Sequence, residues 1–390
     1  MNKVVALLLI AIVMASASAP AHARAAVESS EAAPAPEGQL PFEIRQALHT
    51  SAEVLLNVVR PGYNPIPLAV LNKTQCVVFV NSKGAANAWG IASCRLSPND
   101  WTGPAIVAFE TENPAKASRQ RELIVLLVTD RAVRSLMNRQ LKLGSTAKTQ
   151  PGPLVTDHAN MTEDDITADM FTYGRVGVRT LTPAAIEGTV TVDRGMTSGL
   201  YSGRANVTDV LTGHARVPKV ADRYLTAVSS FFNTITPIGI MLHHSATLPG
   251  NNRVPTDERQ VDAFHQKRGF AVACFGKTYY VAYHYFILPS GKIKAGRPEN
   301  CQGAHAFRYN GYLGISLAGD FSSVDNPLGA KGLTRPTKAQ MKSLYALSKR
   351  IMQRYGIPPE RVLRHSDVAN TNCPGDRFPF PAVKKQLASR

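Results

Sequence analysis

Near its C-terminus the 390-residue sequence carries the run His365-Ser366-Asp367-Val368-Ala369-Asn370-Thr371-Asn372-Cys373. An imidazole and a thiol eight residues apart, with a loop between them, can converge on one ion. Alone, the pair is also compatible with a disulfide or a buried thiol. Upstream, Pro237 to His243 alternates as a strand, with Ile238, Ile240 and Leu242 on one face and Gly239, Met241 and His243 on the other. His243 and His244 therefore point to opposite sides, and at most one of them can join distant residues in a site. With His243 the set becomes two imidazoles and one thiolate. Zinc suits such mixed donors, and three protein ligands leave a fourth position open for water, as in catalytic sites.

The elements that must position these groups are legible around them. A helix is predicted after Pro255, with Thr256 as N-cap, Asp257 and Glu258 in the first turn and Gly269 as its stop. Tyr279 to Leu288 reads as a strand, followed by a tight turn at Ser290-Gly291 into Lys292-Ile293-Lys294, a hairpin signal. Tyr312 to Ala318 reads as another strand. A long helix begins at Thr337, which forms a capping box with Gln340, and ends at Gly356. Its apolar stripe is Met341, Leu344, Leu347, Ile351 and Tyr355.

The constellation as a whole is more specific than its pieces. His243-His244-Ser245-Ala246-Thr247, Tyr283-His284-Tyr285-Phe286-Ile287, Gly303-Ala304-His305-Ala306, Asn310 with Gly314-Ile315, Gly319-Asp320-Phe321 and His365 to Gly375 occur in one order. Together they resemble the zinc N-acetylmuramoyl-L-alanine amidases, which include bacteriophage amidase lysozymes and peptidoglycan recognition proteins. The resemblance covers residues 236–386 and implies an α/β domain, a central mixed sheet surrounded by helices. It puts Zn2+ on His243, His365 and Cys373, and the catalytic tyrosine on Tyr283. Thr371 occupies the polar position two before the Cys ligand, and His305 either lines the cleft as a substrate-binding residue or has a structural role. Non-catalytic recognition members lack the Cys ligand, so Cys373 points to an enzyme. The implied reaction is hydrolysis of the amide between N-acetylmuramic acid and L-alanine by zinc-activated water, with Tyr283 and Thr371 donating hydrogen bonds to the developing oxyanion. His244, His265 and His284 are expected in the core or behind the ligands. The alternative function is a non-catalytic peptidoglycan binder or a lipid-associated envelope adaptor.

The first part has another texture. Residues 42–60 read as a helix, then β-branched runs follow at Cys76–Val80, Ala105–Phe109, Leu123–Val128, Asp169–Gly174 and Ala185–Val192, with a closing helix at Pro218–Phe232. No paired catalytic carboxylates, phosphate-cradling glycine loop or metal-ligand spacing occurs there. Ile66-Pro67 with Leu71, Cys76-Val77-Val78, Trp101-Thr102-Gly103-Pro104-Ala105, Leu141-Lys142-Leu143-Gly144, Glu187-Gly188-Thr189 and Tyr201–Leu211 resemble the SYLF family. That resemblance implies a β-rich domain with flanking helices and, by analogy with some members, contact with lipid or a membrane surface. The expected organisation is therefore two domains, 42–232 and 236–390.

Compartment and charge complete the reading. Lys3, the apolar run Val4–Met14 and Ala21-His22-Ala23 form a secretory signal over residues 1–23, and 24–41 form a flexible leader. Export to a bacterial periplasm or beyond permits disulfides. Cys76 with Cys94 and Cys274 with Cys301 are the expected pairs, leaving Cys373 over. The net charge is +16, and Thr236–Arg390 holds 22 Lys and Arg against 9 Asp and Glu. Nucleic acid is excluded as a partner by export, so this excess is matched to an acidic wall polymer, peptidoglycan or muropeptides.

Overall fold

The β-branched runs of the first part become antiparallel neighbours. Strands β1 (Cys76–Asn81) and β2 (Asn87–Ser97) pair so that Cys76 faces Cys94, and a disulfide joins them. They belong to a ten-stranded sheet with β3 (Asp100–Trp101), β4 (Ala105–Glu110), β5 (Glu122–Leu127), β6 (Gln140–Leu143), β7 (Thr149–Pro151), β8 (Met170–Val176), β9 (Thr180–Pro183) and β10 (Gly188–Val192). Its main path runs β6-β10-β4-β2-β1-β5-β8-β7, and every pairing except β7 with β8 is antiparallel. Val77, Val78, Phe79 and Val80 are all buried, which is why β1 reads as continuous rather than alternating hydrophobicity. The helices Phe42–Val59 and Asp222–Asn233 pack on each other, placing Ile44, Leu55, Tyr224 and Phe231 in the same core. Each such fully buried side chain contributes roughly 1.5–3 kcal/mol.

The computed structural model describes residues 40–389 apart from 60–63, 82–86, 98–99, 112–121, 139, 145–147, 159–160, 177–179, 247–254, 256 and 307. The signal segment, all but the last two residues of the leader, and the Thr256 N-cap lie outside the described residues. Among them Asp257 caps the helix Glu258–Lys267, its side chain accepting from the Gln260 amide. No helix among the described residues is long and apolar enough to cross a membrane. Residues Tyr224 to His244, which carry no Asp, Glu, Lys or Arg, divide into a helix end, a linker and a strand.

The second part is built on a five-stranded mixed sheet. Strands β11 (Gly239–His244), β14 (Tyr285–Ile287), β15 (Ile293–Ala295), β16 (Tyr312–Leu317) and β17 (Val362–Arg364) take the order β15-β14-β16-β11-β17. All pairings are parallel except the hairpin β14–β15, whose turn uses Gly291 at φ 84°. Ile240 and Leu242 of β11, Leu313, Ile315 and Leu317 of β16, and Leu344, Leu347 and Ile351 form one core. The last three come from the helix Lys338–Tyr355, whose Thr337–Gln340 capping box is present and whose C-cap is Gly356 at φ 64°. The Gln340 amide also reaches the Ile287 and Ala318 carbonyls, tying the helix start to the sheet.

One predicted strand is broken in two. Tyr279–Leu288 divides between β13 (Lys277–Tyr279), paired with β12 (Val272–Cys274), and β14. The backbone between is claimed by side chains: Asp262 accepts the Val281 amide, His265 accepts the Ala282 amide, and Arg297 donates to the Val281 carbonyl. With those groups satisfied locally, no ladder forms across residues 280–284. Arg297 is buried for this purpose, and a Cys274–Cys301 disulfide closes the same region.

Candidate functional site

Three elements deliver the groups that could hold a metal. His243 projects from the C-terminal end of β11, His365 follows directly on β17, and Cys373 lies in the loop beyond, cis to Pro374. Because β17 lies beside β11 in parallel, with Leu242 opposite Arg364, both histidines emerge at the same sheet end. Cys373 is brought back by its carbonyl, which accepts from the Ser366 amide at 2.8 Å. One ligand atom from each of His243, His365 and Cys373 lies within 4.8 Å of the others. Sγ of Cys373 is 3.5 Å from Nδ1 of His243.

The hydrogen-bond network fixes which ring nitrogens are available. His305 places Nε2 3.1 Å from the Tyr312 carbonyl, which can only accept, so Nε2 carries the proton and Nδ1 is an acceptor. That Nδ1 lies 3.0 Å from Nε2 of His243, which therefore donates, leaving Nδ1 of His243 with its lone pair toward Cys373. His365 likewise places Nε2 3.0 Å from the backbone carbonyl of His305, which leaves its own Nδ1 unprotonated. This is the outer-shell arrangement by which histidine ligands are oriented in metal sites.

Electrostatics favour neutral imidazoles. Burial, then the neighbouring His305 and His365, holds His243 well below its ordinary pKa. Burial pushes the Cys373 thiol up to about 12 in the absence of a cation. Two neutral imidazoles and one thiol that needs a positive partner to ionise are a donor set for a borderline-soft dication.

Tyr283 and Thr371 border this cluster. The Tyr283 and His243 ring centroids are 4.9 Å apart, and burial raises the Tyr283 phenol above its ordinary pKa, so it remains a donor. Thr371 Oγ1 accepts from the Cys373 amide at 3.2 Å, which leaves the hydroxyl proton free to be donated outward. His305 points both ring nitrogens at the protein, towards His243 and Tyr312. His244, His265 and His284 have other tasks: their Nδ1 atoms accept the amides of Phe321, Ala282 and Gly314.

Sequence reasoning left His305 open between the cleft and a structural role, and did not reach its bracing of His243. A signal exists in the glycines: a Cβ on Gly303 would lie 2.1 Å from the His305 ring, and one on Gly314 2.2 Å from it. Only glycine at both positions admits the imidazole. Ser316, opposite His243 in the β11–β16 register and beside the Tyr283 hydroxyl, was also not singled out.

Residues 233–376 match the N-acetylmuramoyl-L-alanine amidase family. The endolysin of Enterobacteria phage T3 is 33% identical over 141 residues, which are 36% of this chain and 81% of the endolysin. A peptidoglycan-recognition protein of Drosophila melanogaster is 29% identical over 140 residues, 35% of this chain and 67% of that protein. Among solved structures, the N-acetylmuramoyl-L-alanine amidase LysC from Clostridium intestinale URNW has 33% identity, covers 40% of this chain and 87% of its own, and gives a TM-score of 0.32. Through its second part the chain belongs to the N-acetylmuramoyl-L-alanine amidase family.

Proposed function

We propose that this protein is an exported, zinc-dependent hydrolase that cleaves the amide between N-acetylmuramic acid and L-alanine in peptidoglycan. The observation that carries this reading is the meeting of His243, His365 and Cys373, with an unprotonated Nδ1 on each histidine. Zinc held by these residues would supply Lewis acidity and an activated water. The chain's own groups do the rest. His305 keeps His243 in one tautomer and its carbonyl does the same for His365. The Tyr283 phenol, protonated at neutral pH, donates to the substrate carbonyl oxygen as negative charge builds on it, and the Thr371 hydroxyl donates alongside. The basic excess of residues 236–390 draws the acidic wall polymer in, with an attraction that salt weakens.

Residues 42–232 belong in this reading to a SYLF-like domain that meets a lipid or envelope surface, and residues 1–23 to a cleaved export signal. Flotation of the full chain with anionic liposomes tests the first; N-terminal sequencing of the exported protein tests the second.

The decisive experiment measures metal content of the purified protein together with muropeptide mass spectrometry, with and without chelator. Stoichiometric zinc and chelator-sensitive release of new L-alanine amino termini are expected. Wall binding that survives chelation, with no new amino termini, would instead identify a recognition protein without turnover.

A further inference from the structure

A groove of about 700 Å³ lies between the two parts. Asn72, Gln75 and Arg95 line it from the first part, and Phe270, Arg297 and Ala304 from the second. No Asp or Glu lines it among the described residues. Gln302, Gly303 and Ala304 also line it and immediately precede His305, whose ring touches His243.

The two arginines differ in what they have left to give. Arg297 spends its guanidinium on the carbonyls of Val281, Gln302 and Phe270. Arg95 lies 5.0 Å from the Trp101 ring centroid and 5.1 Å from that of Phe232, and Nη2 donates to the Leu71 carbonyl at 2.8 Å. Its Nε is buried without a partner, and Nη1 has none among the described residues either. Burial lowers this guanidinium to about 10, so it is charged at neutral pH, and no carboxylate among the described residues pairs with it. A largely desolvated cation set over the tilted Trp101–Phe232 pair, whose centroids are 4.4 Å apart, is costly unless an anion completes it, and guanidinium pairs best with a planar carboxylate.

We propose that this groove is a carboxylate subsite of the amidase, in which Arg95 receives a free carboxylate of the substrate's peptide. The inference rests on the peptidoglycan reading above and extends it: Arg95 lies outside residues 233–376, so the first part completes the substrate site.

The test uses the full chain and two soluble muropeptides, one with free peptide carboxylates and one with them amidated. Calorimetric titration in the presence of chelator reads binding without turnover. The wild type is expected to prefer the free form about tenfold, the scale of one charge-assisted hydrogen bond. Arg95→Gln should erase the preference and Arg95→Lys keep part of it. Because Arg95 also packs over the Trp101 and Phe232 rings, Leu96→Glu, at a 52% exposed position on the groove rim, supplies a second variant that should weaken only the free form. Equal affinity of the wild type for both forms, or retention of the preference in both Arg95→Gln and Leu96→Glu, would overturn the subsite. Zinc-dependent turnover of both muropeptides at equal KM would remove the subsite and leave the hydrolytic reading intact. Carboxylate-selective binding without new amino termini would do the reverse.

Discussion

Nδ1 of His305 lies 3.0 Å from Nε2 of His243, while the backbone carbonyl of His305 lies 3.0 Å from Nε2 of His365. One residue thus orients both imidazoles, one through its ring and one through its backbone. Replacing it by alanine removes only the first contact. His305→Ala is expected to lower zinc affinity about 10–100-fold, the usual cost of losing an outer-shell partner, with turnover recovering at saturating zinc. Competition with a chromophoric chelator reads the affinity. Unchanged zinc affinity would show that the ring is not what orients His243.

In the proposed zinc site, Cys373 is the residue expected to separate an enzyme from a binding protein. Cys373→Ala is expected to abolish stoichiometric zinc and the release of amino termini, while sedimentation with cell walls persists. Elemental analysis and a wall pull-down on the same preparation check both halves. A zinc-replete Cys373→Ala protein would remove Cys373 from the ligand set.

Tyr283 donates through its hydroxyl alone, so Tyr283→Phe is the informative change. Loss of one oxyanion donor should lower kcat by about 100–1,000-fold, close to 3–4 kcal/mol, with zinc content unchanged. Thr371→Val should act in the same direction. If Tyr283→Phe lowers zinc content instead of kcat, the tyrosine supports the ligands and not the reaction.

His265 and His284 are buried as neutral acceptors of the Ala282 and Gly314 amides, and burial lowers each to about 4. In the unfolded chain both titrate near ~6.5. Between these values the unfolded state binds more protons, so their contribution to stability is complete above ~6.5 and is lost as pH falls towards 4. Urea midpoints measured from pH 8 down to 4.5 should fall across that window. A flat profile would mean that these rings are not neutral in the folded protein.

Much of the site was legible because its chemistry depends on residue type and order. His243, Tyr283, Thr371, His365 and Cys373 each stand at a motif position, and the Thr337–Gln340 capping box is a local device readable from four residues. The Cys76–Cys94 pair was readable because both cysteines lie in the β-like texture of the first part, and the β1–β2 register sets them opposite each other. The break within Tyr279–Leu288 was not legible, because Asp262, His265 and Arg297 reach that backbone from elsewhere in the chain. Local alternation cannot register a distant side chain that takes the place of a neighbouring strand.

By itself, then, the sequence determined the donor types, their alternation on β11 and the basic charge of the second part. Tertiary structure alone decided that His365 and Cys373 reach His243, which nitrogen each histidine offers, and that His305 spends its ring on the protein. It also decided that residues from opposite parts of the chain, Arg95 and Arg297 among them, line one groove. The physical reason is the same in each case. Hydrogen bonds and desolvation act at a few ångströms between residues separated by tens to hundreds of positions, and only the packing of the sheets brings those residues together.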